Sequence, residues 1–185
     1  MTLSTETPVL GFAAFSGTGK TTLLKYIIPL LRAEGLRLGL IKHSHHLFDI
    51  DKPGKDSHTL SEAGAAQILI ASARRTVLVI KHPADDKPDL HQFLGRLDGN
   101  GLDMILVEGF KNSPIPKLEL HRPRLGHPLL CRDDPAVIAV ASDGLLSAEV
   151  TVPVLDLNNP RAIADFIQNR FLEASHCNAQ DIYGS

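Results

Sequence analysis

Val9-Leu10-Gly11-Phe12-Ala13-Ala14-Phe15-Ser16-Gly17-Thr18-Gly19-Lys20-Thr21-Thr22-Leu23-Leu24 joins an apolar run to a glycine-rich turn and then to a helical pattern. Residues 9–15 are continuously small or apolar, the signature of a strand buried on both faces. Residues 20–34 place Leu23, Leu24, Ile27, Ile28 and Leu31 at helical spacing, and Gly35 stops the pattern. Pro29 lies inside it and removes the bond to the Lys25 carbonyl, so a kink or an early end is predicted. The turn between them follows the phosphate-loop spacing GxxxxGK[ST], with Ala14 at the first glycine position. Gly17 and Gly19 let backbone N–H groups turn inward around an anion, and the following helix start favours the same charge. Ser16, Gly17, Thr18, Gly19, Lys20, Thr21 and Thr22 are therefore expected to hold nucleotide phosphates. Lys20 reaches the β- and γ-phosphates, and the Thr21 hydroxyl is placed to ligate Mg²⁺. A glycine turn that merely connects strand to helix is the bland reading. Gly-Lys-Thr-Thr in this context outweighs it.

Working outward, strand-like and helical runs alternate along the chain. Strands are predicted at residues 36–41, 67–71, 77–80, 104–107, 137–141 and 152–155, and helices at 59–66, 90–97 and 161–172. Residues 117–121 alternate polar and apolar, as a half-exposed edge strand would. The pattern predicts an α/β fold of the P-loop NTPase type. Its mostly parallel sheet carries helices on both faces, with an antiparallel or edge strand added. No composition shift divides residues 1–172, which read as a single nucleotide-binding domain. Residues 173–185 read as a polar, frayed tail.

The 185 residues carry 19 Lys plus Arg against 21 Asp plus Glu, and 5% aromatics without Trp. That balance argues against a nucleic-acid coat, a base-stacking platform or a basic membrane surface. A local cationic pocket stays compatible with it. Cys131 and Cys177 form no CxxC pair, the N-terminus lacks a signal-peptide pattern, and no apolar run reaches bilayer length. A soluble cytoplasmic protein is the expectation.

Strand 104–107 runs into Glu108, which at the carboxyl edge of a parallel sheet faces the phosphate loop. Glu108 is thus expected to hold Mg²⁺ or to polarise a nucleophile, with Lys20 as the other catalytic group. Strand 137–141 runs into Asp143, whose carboxylate can accept both N1–H and N2–H of guanine. An Asp–Gly turn explains Asp143 almost as well, and Asp156 is the next base-reading option. Between strands, Lys42-His43-Ser44-His45-His46 and Asp51-Lys52-Pro53-Gly54-Lys55 form a polar, basic loop. Lys42, His43, Lys52 and Lys55, with Lys111, are expected to hold a second anion, and Asp51 to approach Mg²⁺. A zinc site at His43 and His45 lacks the usual four-ligand spacing.

Phe12 to Leu24, the Lys42-His43-Ser44-His45-His46 run, Pro53-Gly54-Lys55-Asp56-Ser57, Val107-Glu108-Gly109-Phe110-Lys111 and residues 137–143 together resemble the MobB family. That resemblance implies a homodimer that binds GTP with Mg²⁺, hydrolyses it weakly and assists a MobA-type nucleotidyltransferase. It implies that the partner joins GMP to molybdopterin; the placement of the basic loop, on the same sheet edge as the phosphate loop, makes the pterin phosphate its expected second anion. Two other classes share the phosphate loop. A small-molecule kinase would need an arginine-bearing lid, for which only Arg74-Arg75 offers itself. A metallochaperone GTPase would use the histidine loop for metal.

Overall fold

A computed structural model describes residues 7–44, 56–82, 89–98 and 101–175. Its contacts form two compact units, Met1–His43 with Leu90–Ser185, and Ser44–Asp89.

In the first unit, β1 (Val9–Ala13), β2 (Leu38–Lys42), β5 (Met104–Glu108), β6 (Lys117–His121), β7 (Val137–Ser142) and β8 (Val154–Asp156) form one sheet. Strand order is β2-β5-β1-β6-β7-β8, and every pairing is parallel. Each face is covered, as the apolar strands require. On one side Leu10, Phe12, Met104, Leu106, Leu118 and Leu120 pack on α1 (Lys20–Ala33) and α4 (Pro160–Phe166). On the other, Val9, Ile105 and Val107 pack against Leu90 and Leu94 of α3 (Leu90–Leu94). Truncating a fully buried contact such as Ile27 to Ala would cost about 2–5 kcal/mol. Asn159 caps α4 by accepting from the Ala162 amide at 3.1 Å, with Pro160 at the first helical position. The chain continues from α4 through a π-helical segment, Ile167–Leu172.

Two expectations are corrected here. The α1 helix does not end at Pro29 but runs on to Ala33. Pro29 is exposed, so the freed Lys25 carbonyl meets water while Ile27 and Leu31 anchor the buried face on either side. The second correction concerns β6, which is no edge strand. It lies between β1 and β7 with all five residues buried. Its polar residues face inward to partners: Lys117 Nζ sits 2.7 Å from Asp134 and 2.6 Å from the Ser113 carbonyl. Glu119 accepts the Leu130 and Cys131 amides, each at 2.8 Å. Alternation reports two faces, and here both are covered.

The second unit holds α2 (Asp56–Glu62) and an antiparallel hairpin of β3 (Gln67–Ala71) and β4 (Thr76–Ile80). The helix begins and ends earlier than its periodicity predicts, with Gly64 beyond it at φ 110°. Among the described residues no helix is long and apolar enough to cross a membrane.

Candidate phosphate-loop site

The loop between β1 and α1 has the backbone its glycines make possible. Gly17 and Gly19 adopt φ 78° and 103°, a region that other residues enter only under strain. Thr18 is buried between them, and its hydroxyl donates to the Phe15 carbonyl at 2.9 Å. Lys20 folds back over the loop, donating from Nζ to the Ala14 and Phe15 carbonyls at 3.1 and 3.3 Å. Burial pushes the Lys20 ammonium below its ordinary pKa. Glu108 opposes that shift, and the like charges of Lys42 and Lys111 reinforce it.

Strands β2 and β5 pair in register, with Lys42 opposite Glu108, so both side chains leave the same sheet edge. The Thr21 hydroxyl donates to Glu108 Oε1 at 2.7 Å. Lys42 Nζ donates to Thr21 Oγ1 at 3.1 Å and to Glu108 Oε2 at 3.1 Å. Hydroxyl and carboxylate are hard oxygen donors of the kind Mg²⁺ selects, so this pair fits that ion. Behind Glu108, Gly109 takes φ 101°, and a Cβ there would stand 2.7 Å from the His43 Cβ. The His43 amide donates to the Glu108 carbonyl at 2.8 Å, and its ring leans on Phe110 at 4.9 Å.

The opposite rim is built from β6 and β7. Arg122, one residue past β6, donates from Nε to the Thr18 carbonyl at 2.8 Å and pairs with Asp143. Its outer nitrogen lies 3.5 Å from where a Gly19 Cβ would stand. Asp143 is thus brought to the loop, held by an arginine. Asp156 instead caps a turn, accepting the Asn158 amide at 2.8 Å. Phe15 stacks on His127 at 4.4 Å, and Lys111 lies 5.3 Å over the Phe15 ring.

Ser16, Thr18, Lys20, Thr21, Thr22, Lys42, His43, Glu108, Lys111 and Asp143 all lie in the first unit, on the loop, on the turn of α1 it enters, or at strand ends. Asp51, Lys52 and Lys55 lie outside the described residues. Among the described residues no three His, Cys, Asp or Glu side chains cluster as a metal site. The sequence does not single out Arg122, because the alternation of 117–121 reads as an edge strand. At the carboxyl end of a central strand its proximity to the loop follows from topology.

A parallel sheet whose inner strand passes through Gly-Thr-Gly-Lys-Thr-Thr into a helix defines a phosphate-loop α/β protein. The family model for molybdopterin guanine dinucleotide synthesis protein B matches residues 9–143, and the chain belongs to that family. It is 51% identical over 164 residues to a molybdopterin-guanine dinucleotide biosynthesis adapter protein of Escherichia coli K12, covering 88% of this chain and 93% of the relative. A protein of the same description from Haemophilus influenzae is 42% identical, covering 90% and 91%. The fold matches a crystal structure of molybdopterin-guanine biosynthesis protein B with a TM-score of 0.69 at 23% identity, covering 89% of this chain and 99% of that one. A MobB homolog from Bacillus stearothermophilus aligns with a TM-score of 0.65 at 22% identity, covering 90% and 98%.

Proposed function

We propose that this chain is an adapter of molybdopterin guanine dinucleotide biosynthesis, a cytoplasmic GTP-binding protein with slow Mg²⁺-dependent GTPase activity. It assists a MobA-type nucleotidyltransferase as that enzyme attaches GMP to molybdopterin. The observation that carries the nucleotide reading is the Thr21–Glu108 contact of 2.7 Å beside Lys20, in a chain whose relatives are described as such adapters.

Loop amides and the start of α1 bind the phosphates, and Lys20 exchanges its two carbonyl contacts for phosphate oxygens. Thr21 and Glu108 would hold Mg²⁺, which would supply charge neutralisation at the nucleotide phosphates. Glu108, buried at the end of β5, also orients the attacking water by accepting its proton in a hydrogen bond. Asp143 reads the guanine edge, while His43 and Lys111 serve the pterin phosphate. Lys20→Ala should weaken GTP binding by at least ~10-fold, read by calorimetry, because one charge-assisted contact is lost. Unchanged affinity in a folded variant would sink the nucleotide reading. A pull-down of the nucleotidyltransferase with and without GTP tests the adapter role.

A further inference from the structure

Lys42 holds a position that a simple phosphate-binding lysine would not. Its ammonium bridges the Thr21 hydroxyl and both carboxylate oxygens of Glu108, at 3.1, 3.3 and 3.1 Å. Those oxygens are the pair that fits a divalent cation. The carboxylate brings one negative charge, and the Lys20 ammonium already interacts with it. A divalent ion and the Lys42 ammonium cannot both sit on this hydroxyl and this carboxylate, because they would meet at contact distance as like charges. The backbone of Lys42 is fixed by the register with Glu108, but its side chain is 49% exposed and has solvent to move into.

We propose that Lys42 and a divalent cation are alternative occupants of the Thr21–Glu108 pair, so that metal arriving with nucleotide expels the Lys42 side chain. This rests on the nucleotide reading above. The expelled ammonium remains tethered to the carboxyl end of β2, beside the phosphate loop. It becomes available to a second, phosphate-bearing ligand only after the metal–nucleotide complex is in place. Order of binding thereby follows from one side chain: nucleotide first, second phosphate afterwards.

Mn²⁺ titrated into the full chain with saturating GDP, followed by the electron paramagnetic resonance of the free ion, tests the competition. Lys42→Met should tighten Mn²⁺ binding by at least ~10-fold, since the competing charge is gone, whereas Lys42→Arg should not. Unchanged or weaker Mn²⁺ affinity in Lys42→Met overturns the proposal, because it would make Lys42 a bystander or a helper of the metal complex. The same titration without nucleotide decides the matter even if GDP fails to bind, a failure that would count against the nucleotide reading alone. Acetylation of Lys42 by acetic anhydride, quantified by mass spectrometry, gives a second readout. It should rise when Mg²⁺ and GDP are added, and protection would overturn the inference.

Discussion

Arg122 joins Asp143 to the phosphate loop: Nη1 lies 2.5 Å from Asp143 Oδ2 while Nε donates to the Thr18 carbonyl at 2.8 Å. Arg124 approaches the same oxygen at 3.9 Å. Both arginines address Oδ2. On the proposed guanine reading, one guanidinium thus joins the base-reading carboxylate to the loop. The two side chains should nevertheless fail differently when altered. Asp143→Asn presents a donor to the guanine N–H groups, so it should cut the preference for GTP over ATP. Arg122→Ala frees the loop carbonyl and should weaken GTP and ATP alike, by roughly 10-fold for a charged hydrogen bond. Competition binding with both nucleotides reads the difference. Full selectivity in Asp143→Asn would move base recognition to Asp156 or the backbone.

Lys20 links the site to pH. Its pKa is lowered from 10.5 chiefly by burial, so the fold disfavours its charged form. Below that lowered value the folded chain carries the penalty. As pH rises from there toward 10.5 the penalty is relieved, because the unfolded chain binds the proton more tightly. Nucleotide affinity runs the other way. Phosphate favours the ammonium, so binding takes up protons as pH approaches the lowered pKa and weakens beyond it. Calorimetry stepped upward in pH from neutral toward 10.5, in two buffers of different ionisation heat, should show net proton uptake. Lys20→Met should abolish it.

The β1–loop–α1 unit was legible because its chemistry is local: apolar run, two glycines, lysine, helical spacing. Glu108 was legible for the same reason, as a carboxylate closing an apolar strand. What local pattern cannot supply is the identity of a distant partner. Lys117, Glu119 and His121 read as a solvent face, yet Lys117 meets Asp134 across the intervening chain and Glu119 binds two backbone amides beyond His121. That misplacement hid Arg122 as well, since an arginine after an edge strand has no reason to touch the phosphate loop. Lys42 was expected to face a second anion. Only the register of β2 with β5 puts it on Glu108.

The buried pair gives its own test. Lys117 is 2% exposed, whereas Asp134 is 28% exposed. Asp134→Ala strands an ammonium in the interior with the Ser113 carbonyl still accepting from it, and should destabilise the fold by about 3–5 kcal/mol. Lys117→Met leaves a carboxylate that water can reach and keeps the volume filled, so its cost should be under about 2 kcal/mol. Adding Lys117→Met to Asp134→Ala should therefore recover stability. Urea unfolding of the two single variants and the double variant measures all three. Equal losses in the single variants would mean that the pair acts by packing rather than charge.

The hairpin of the second unit bears on assembly. Its register sets Leu69 opposite Leu78, and these side chains are 64% and 47% exposed. Ile70, on the other face, is 40% exposed. A two-stranded hairpin is marginal in water unless something covers it, and we propose a second copy of the chain, with its matching apolar surface, as the cover. On the homodimer reading, Leu69→Asp places a charge opposite Leu78 in that surface. It should shift the chain from dimer to monomer in size-exclusion chromatography with light scattering. The loss per buried leucine is about 2 kcal/mol before the cost of burying the new carboxylate, enough for at least ~30-fold in the dimer constant. Thr76→Asp, on the same hairpin but at a polar position, should shift it far less. If Leu69→Asp keeps the dimer mass, the copies meet through some other surface.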